Sequence, residues 1–197
     1  MHVVTSKDGT KIAYEKQGEG PAVILVAGAL CARLSWSGPH LSKLLAPHFR
    51  VYNYDRRGRG DSGDTKPYAV AREVEDIEAL IDEAGGSACL YGHSSGAALV
   101  LEAAIQLGPP IKKLALHAAI LGEDSSIPTQ RIAVVTAPTL VINGGASFPF
   151  MNDTAQALSK AIPNAKLRTI EGQTHDVDVD LLAPVLGEFF AGSRQKG

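Results

Sequence analysis

Residues 87–101 constrain this chain more than any other stretch. A short apolar run, Ala88-Cys89-Leu90-Tyr91, ends in Gly92-His93-Ser94-Ser95-Gly96 and passes at once into Ala/Leu-rich sequence. That order predicts a strand, a tight turn and a helix, with Ser94 at the apex. The turn is too sharp for nearby Cβ atoms, and Gly96 lets the start of the helix lie close to the strand. Ser94 then sits above the sheet edge at the positive end of the helix, where an oxyanion is stabilised. A bare Gly-x-Ser-x-Gly recurs by chance; between a strand and a helix it points to a nucleophile.

The flanking segments predict the sheet that holds this turn. Residues 2–5 and 11–17 flank Asp8-Gly9, a hairpin signal, so the chain opens on an antiparallel pair. Ala-Val-Ile-Leu-Val at 22–26 is a continuous apolar run, the mark of a strand buried on both faces, and it leads into Ala27-Gly28-Ala29-Leu30. Further strands are expected at 50–54, 111–117, 139–143 and 166–170. Helices are expected with Trp36, Leu41, Leu44 and Leu45 on one side, over 70–84, from the tight turn through Leu107, over 153–161 and over 181–190. Alternating strands and helices after an antiparallel start predict one α/β domain over 1–197: a three-layer, doubly wound, mostly parallel sheet. Ligands of such sheets bind at the carboxyl ends of the strands, the edge from which Ser94 projects.

The 197 residues are 45% apolar and 20% charged with net charge −2, so no basic excess points to nucleic acid or to an anionic membrane. No apolar run reaches membrane-spanning length or forms a signal core, and two cysteines, Cys31 and Cys89, cannot make a disulfide framework. A cytoplasmic protein is expected. Histidine and carboxylate spacings suggest neither a metal nor a cofactor. Arg56, Arg57 and Arg59 beside Asp55, Asp61 and Asp64 read as a self-paired loop rather than a phosphate site.

A serine hydroxyl near neutral pH needs an adjacent base, and imidazole suits because its pKa lies near working pH. Of six histidines, His93 is expected to pack beneath the turn. His2, His40 and His48 lie on early elements, and His117 ends a strand near the site. His175 follows the last strand in a Gly-Gln-Thr loop where nothing structural requires a histidine, so it is the candidate base.

These motifs, in this order and over nearly the whole chain, resemble the α/β-hydrolase superfamily. Gly92-His93-Ser94-Ser95-Gly96 matches its nucleophile elbow. Tyr54-Asp55-Arg56-Arg57-Gly58-Arg59-Gly60-Asp61-Ser62 is similar to its Asp-x-Arg-Gly-x-Gly-x-Ser loop, and Gly172-Gln173-Thr174-His175 to its late histidine loop. The resemblance implies a Ser94 nucleophile, a His175 base and an oxyanion hole made by the backbone amides of Ser95 and Ala29, with Leu30 as the alternative to Ala29. It implies hydrolysis of small activated esters by a serine carboxylesterase. Peroxidase-type or lyase chemistry on the same fold, or a non-catalytic or engineered minimal scaffold, are the alternatives.

The chain departs from the family pattern twice. Where an acid usually follows the strand ending at Asn143, the sequence has Gly144-Gly145-Ala146-Ser147, and Ala118-Ala119 occupy the other usual position. Glu123, Asp124 and Asp153 remain candidate triad acids; Asp153 reads first as a helix-start acid, and Asp176, Asp178 and Asp180 as a solvated helix start. The 118–138 connection is also too short for a helical lid, so no cap domain is expected. Leu30, Ile120, Leu121, Phe148 and Phe150 would then rim an open site. Apolar surface of that kind predicts a homodimer through the active-site face.

Overall fold

The computed structural model describes residues 1–119 and 129–192. In chain order the strands are β1 (His2–Thr5), β2 (Lys11–Gln17), β3 (Ala22–Val26), β4 (Arg50–Tyr54), β5 (Ala88–His93), β6 (Ile111–His117), β7 (Thr139–Gly144) and β8 (Ala165–Ile170). The helices are α1 (Gly38–Leu45), α2 (Val70–Glu83), α3 (Ser95–Leu107), α4 (Thr129–Ile132), α5 (Pro149–Ala161) and α6 (Val179–Ala191). The strands form one sheet in the order β1-β2-β4-β3-β5-β6-β7-β8. β1 pairs antiparallel with β2 and β2 with β4, and every other pairing is parallel. The doubly wound α/β architecture with an antiparallel opening is therefore present as the patterning predicted.

β3 and β5 lie at the centre, and alternation along β3 explains why that run is apolar throughout. Ile24 and Val26 pack into a core with residues of α2, α3 and α5, whereas Val23 and Leu25 pack into a second core with α1 and α6. A strand covered on both faces has no solvent side on which polar residues would be cheap. The three layers follow directly.

Several boundaries move by one or two residues, and local chemistry shifts one by four. α5 begins at Pro149, with Phe148 as its cap, rather than at Asp153. Proline fits the first helical turn because its missing N–H has no partner there anyway. Asp153 consequently lies in the second turn, not at the helix start. Asp178 does cap α6, its carboxylate accepting a hydrogen bond from the Asp180 amide at 2.9 Å. Among the described residues, no helix is long and apolar enough to cross a membrane.

Candidate active site

Ser94 stands between β5 and α3 with φ +56° and ψ −121°, a conformation that costs an L-residue on the order of 1–3 kcal/mol. Its amide donates to the His117 carbonyl at 2.9 Å, and its carbonyl accepts from the Ala97 amide at 3.0 Å. A Cβ on Gly92 would collide with the Gly96 carbonyl, and one on Gly96 with the carbonyls of Val26 and Ala27. Both glycines are thus required by close approach. Among the described residues two other non-glycines have positive φ, Leu30 at +61° and Ala118 at +49°, in the segments leaving β3 and β6. All three strained residues lie at the carboxyl edge of the sheet.

The arginine-rich loop does something the sequence reading missed. Its charges are not paired among themselves: Asp55, Arg56 and Arg57 are buried and partnered on other elements. Arg56 makes a two-pronged ion pair with Glu73 of α2, both contacts at 2.6 Å, and the same guanidinium donates to the Ser95 hydroxyl at 3.1 Å and the Ala27 carbonyl at 3.3 Å. Arg57 grips Asp76 at 2.7 and 2.8 Å and Asp8 at 2.9 Å. Asp55 accepts from the side chain and amide of Arg33. Local spacing suggested pairing within the loop, but burial makes partners on packed elements necessary. Arg56 therefore ties the end of β3 to the residue after Ser94.

Arg59 donates to the Gly28 carbonyl at 2.7 Å. In a planar trans peptide the carbonyl and the next N–H point in opposite directions. The Ala29 amide is therefore aimed away from Arg59. The Arg-Gly-x-Gly spacing was the visible signal; the target carbonyls, nearly thirty residues upstream, were not visible.

Three imidazoles meet beside the elbow. His93 lies 4.9 Å, centroid to centroid, from both His117 and His175, and stacks near Trp36 at 6.4 Å. The His93 Nε2 is 3.4 Å from the His175 carbonyl and 3.8 Å from an Asp176 carboxylate oxygen. Burial first, and the neighbouring His175 second, hold the His93 pKa below the usual imidazole range. His117 is pushed well below it, by burial and then by His93, and shares a 2.8 Å hydrogen bond with the Tyr91 hydroxyl. Both rings are therefore biased toward the neutral form. The fold thus brings His175 to the elbow through His93, although no hydrogen bond joins Ser94 to His175 among the described contacts.

Among the described residues nothing bonds the buried His175 Nδ1, nor the Ser147 hydroxyl, which is buried likewise. The two loops nevertheless touch: the Ala146 amide donates to the Gln173 carbonyl at 2.8 Å, and a Cβ on Gly144 would strike the carbonyls of Gln173 and Thr174. Asp153 is exposed on α5 and makes no described contact with His175. Glu123 and Asp124, together with Ile120 and Leu121, lie outside the described residues. Leu30 is 97% exposed, and Phe148 and Phe150, 66% and 58% exposed, stack on each other 6.0 Å apart.

Comparison with known proteins adds the lineage. The alpha/beta hydrolase family profile matches residues 23–193. A crystal structure of an alpha/beta hydrolase from Sphaerobacter thermophilus superposes with a TM-score of 0.89 at 40% identity, covering 96% of this chain and all of that one. An N-formylmaleamate deformylase from Pseudomonas putida is 35% identical over 115 residues, 56% of this chain and 42% of the deformylase. A probable oxidoreductase, EphD, from Mycobacterium tuberculosis is 40% identical over 86 residues, 41% of this chain. The match spans 14% of that protein's length. With the elbow, the sheet order and the late histidine loop all in place, the chain belongs to the alpha/beta hydrolase family.

Proposed function

We propose that this protein is a serine carboxylesterase acting on small activated esters through an acyl-enzyme. The observation that carries the reading is Ser94, held at positive φ on a strand-to-helix turn, with the adjacent His93 packed against the rings of His117 and His175. Strain of this kind persists where the surrounding structure over-determines it, and it gathers at reactive sites. The Ser94 hydroxyl attacks the acyl carbonyl and His175 takes its proton. The oxyanion is held by the amides of Ser95 and Ala29. Collapse expels the alcohol, which receives that proton from His175, and water then releases the acid by the same steps. Pinning of the Gly28 carbonyl by Arg59 supports the Ala29 assignment, since it fixes the direction of the donor. The deformylase relative, whose name also denotes removal of an acyl group, agrees with acyl transfer. Labelling with a fluorophosphonate tests the reading: stoichiometric modification of Ser94 is expected, and a protein that takes no label sinks it.

The reading includes a weak third member. Asp153→Ala is expected to leave the acylation rate within a small factor of wild type, measured with an activated aryl ester. A loss near the roughly 10⁴-fold that accompanies disabling a triad acid would identify Asp153 as that acid. Ser147→Asp is expected to raise the rate at least tenfold, with about 10⁴ as the ceiling. It puts a carboxylate on the loop that abuts the segment carrying His175. An unchanged rate in a folded Ser147→Asp protein would show that this loop does not serve His175.

Exposed Leu30, Phe148 and Phe150 support a second copy of the chain covering the active-site face. Sedimentation at micromolar concentration is expected to show a dimer, and Phe148→Glu with Phe150→Glu to return it to monomer. A monomeric wild type removes the homodimer from the proposal.

A further inference from the structure

The imidazole cluster has a property that ester hydrolysis does not use. One ligand atom each from His93, His175 and Asp176 lie within 4.8 Å of one another. Two nitrogens and one carboxylate oxygen make a donor set that suits zinc and other late first-row dications, and suits magnesium and calcium poorly. A tetrahedral zinc ion with bonds of about 2.0–2.2 Å holds its ligand atoms about 3.5 Å apart, so these donors must close by roughly an ångström. The Asp176 side chain, 90% exposed, is free to supply most of that movement.

The surroundings fit a metal in two further ways. Among the described residues, the buried His175 Nδ1 has no hydrogen-bond partner. A cavity of about 340 Å³, lined in part by Trp36, His93 and Asp176, opens beside the cluster and leaves room for an ion and its remaining water.

We infer that His93, His175 and Asp176 form an inhibitory binding site for zinc-type transition-metal dications. The inhibitory half rests on the role of His175 proposed above; the binding half does not. Coordination takes one lone pair of the His175 ring and transfers no electrons. A dication on either ring nitrogen disfavours the imidazolium that must form when Ser94 gives up its proton. The bound metal therefore disables the base whichever nitrogen it occupies, and chelation restores it.

Calorimetric titration of Ser94→Ala protein with zinc chloride tests the site without depending on catalysis. One saturable site per chain is expected, with no comparable binding of magnesium chloride. Asp176→Asn, at an exposed position that folding does not need, is expected to weaken zinc at least about tenfold, the low end of what losing a supporting group costs a metal site. Absence of saturable zinc binding overturns the inference, as does binding that is unchanged in both Asp176→Asn and His175→Ala. In the wild type, zinc is expected to suppress acylation with the midpoint of the calorimetric curve, and excess chelator to reverse it. Zinc that binds at this site without slowing acylation overturns the inhibitory half. A metal-free wild type with no acylation at all would instead sink the esterase reading and leave the calorimetry to judge the site.

Discussion

Ser94→Ala is expected to abolish the acylation burst and to lower turnover of an activated ester by about 10², not by the 10⁶ typical of a complete triad. The arithmetic comes from the parts. In a serine protease with a full triad, removing the serine or the histidine costs about 2 × 10⁶, while removing the acid alone costs about 3 × 10⁴. Among the described residues His175 Nδ1 has no partner, so the chain is expected to start near the lower level, and only the difference remains for the serine to lose. His175→Ala is expected to cost about the same 10², and the double variant no more than either alone, because the two residues act as one unit. Pre-steady-state kinetics with the single and double variants check this. A loss of 10⁵ or more at Ser94 would show that a carboxylate does support His175.

The second large effect concerns folding. Asp76→Asn is expected to destabilise the protein by about 3–5 kcal/mol, because it leaves the buried Arg57 guanidinium without its two-pronged partner. The half-buried i,i+3 pair Arg72–Glu75 on the surface of α2 is the comparison, and Glu75→Gln is expected to cost only about 0.3–0.5 kcal/mol. Urea unfolding of the two variants separates them, and equal shifts would show that the buried ions contribute no more than surface ones. Acid should act on the same network. The Asp8 carboxyl is held well below the usual carboxylate range, first by the hydrogen bond from Arg57. Glu73 is also lowered: burial raises it, but the Arg56 hydrogen bonds and charge outweigh burial. Groups with depressed folded pKa values stabilise fully above their unfolded pKa, here 3.8 and 4.5, and lose that contribution as pH falls below it. Unfolding midpoints are therefore expected to be flat above about pH 7, to decline below about pH 6.5 as the unfolded chain protonates His93 and His117, and to drop further below pH 4.

The sequence by itself determined the sheet and the elbow, and for a local reason. A strand buried on both faces must be apolar without interruption, as 22–26 is, and a turn crowded by neighbouring carbonyls must carry glycine, as at 92 and 96. Such requirements act within a few residues of the position they constrain, so they leave their mark in the order of the chain. The start of α5 was legible too, through Pro149, but an acid at 153 drew the boundary four residues late. What only the tertiary structure decided is everything that depends on partners far apart in sequence. Arg56 meets Glu73 and Ser95, Arg59 meets Gly28, and His93 meets both His117 and His175. Ion pairs and ring contacts need only the right chemistry at the right distance, and any of several acids or histidines would have satisfied the pattern on paper. Packing of the helices and loops against the sheet selects among them, because a buried charge or ring must find its partner where the fold leaves one.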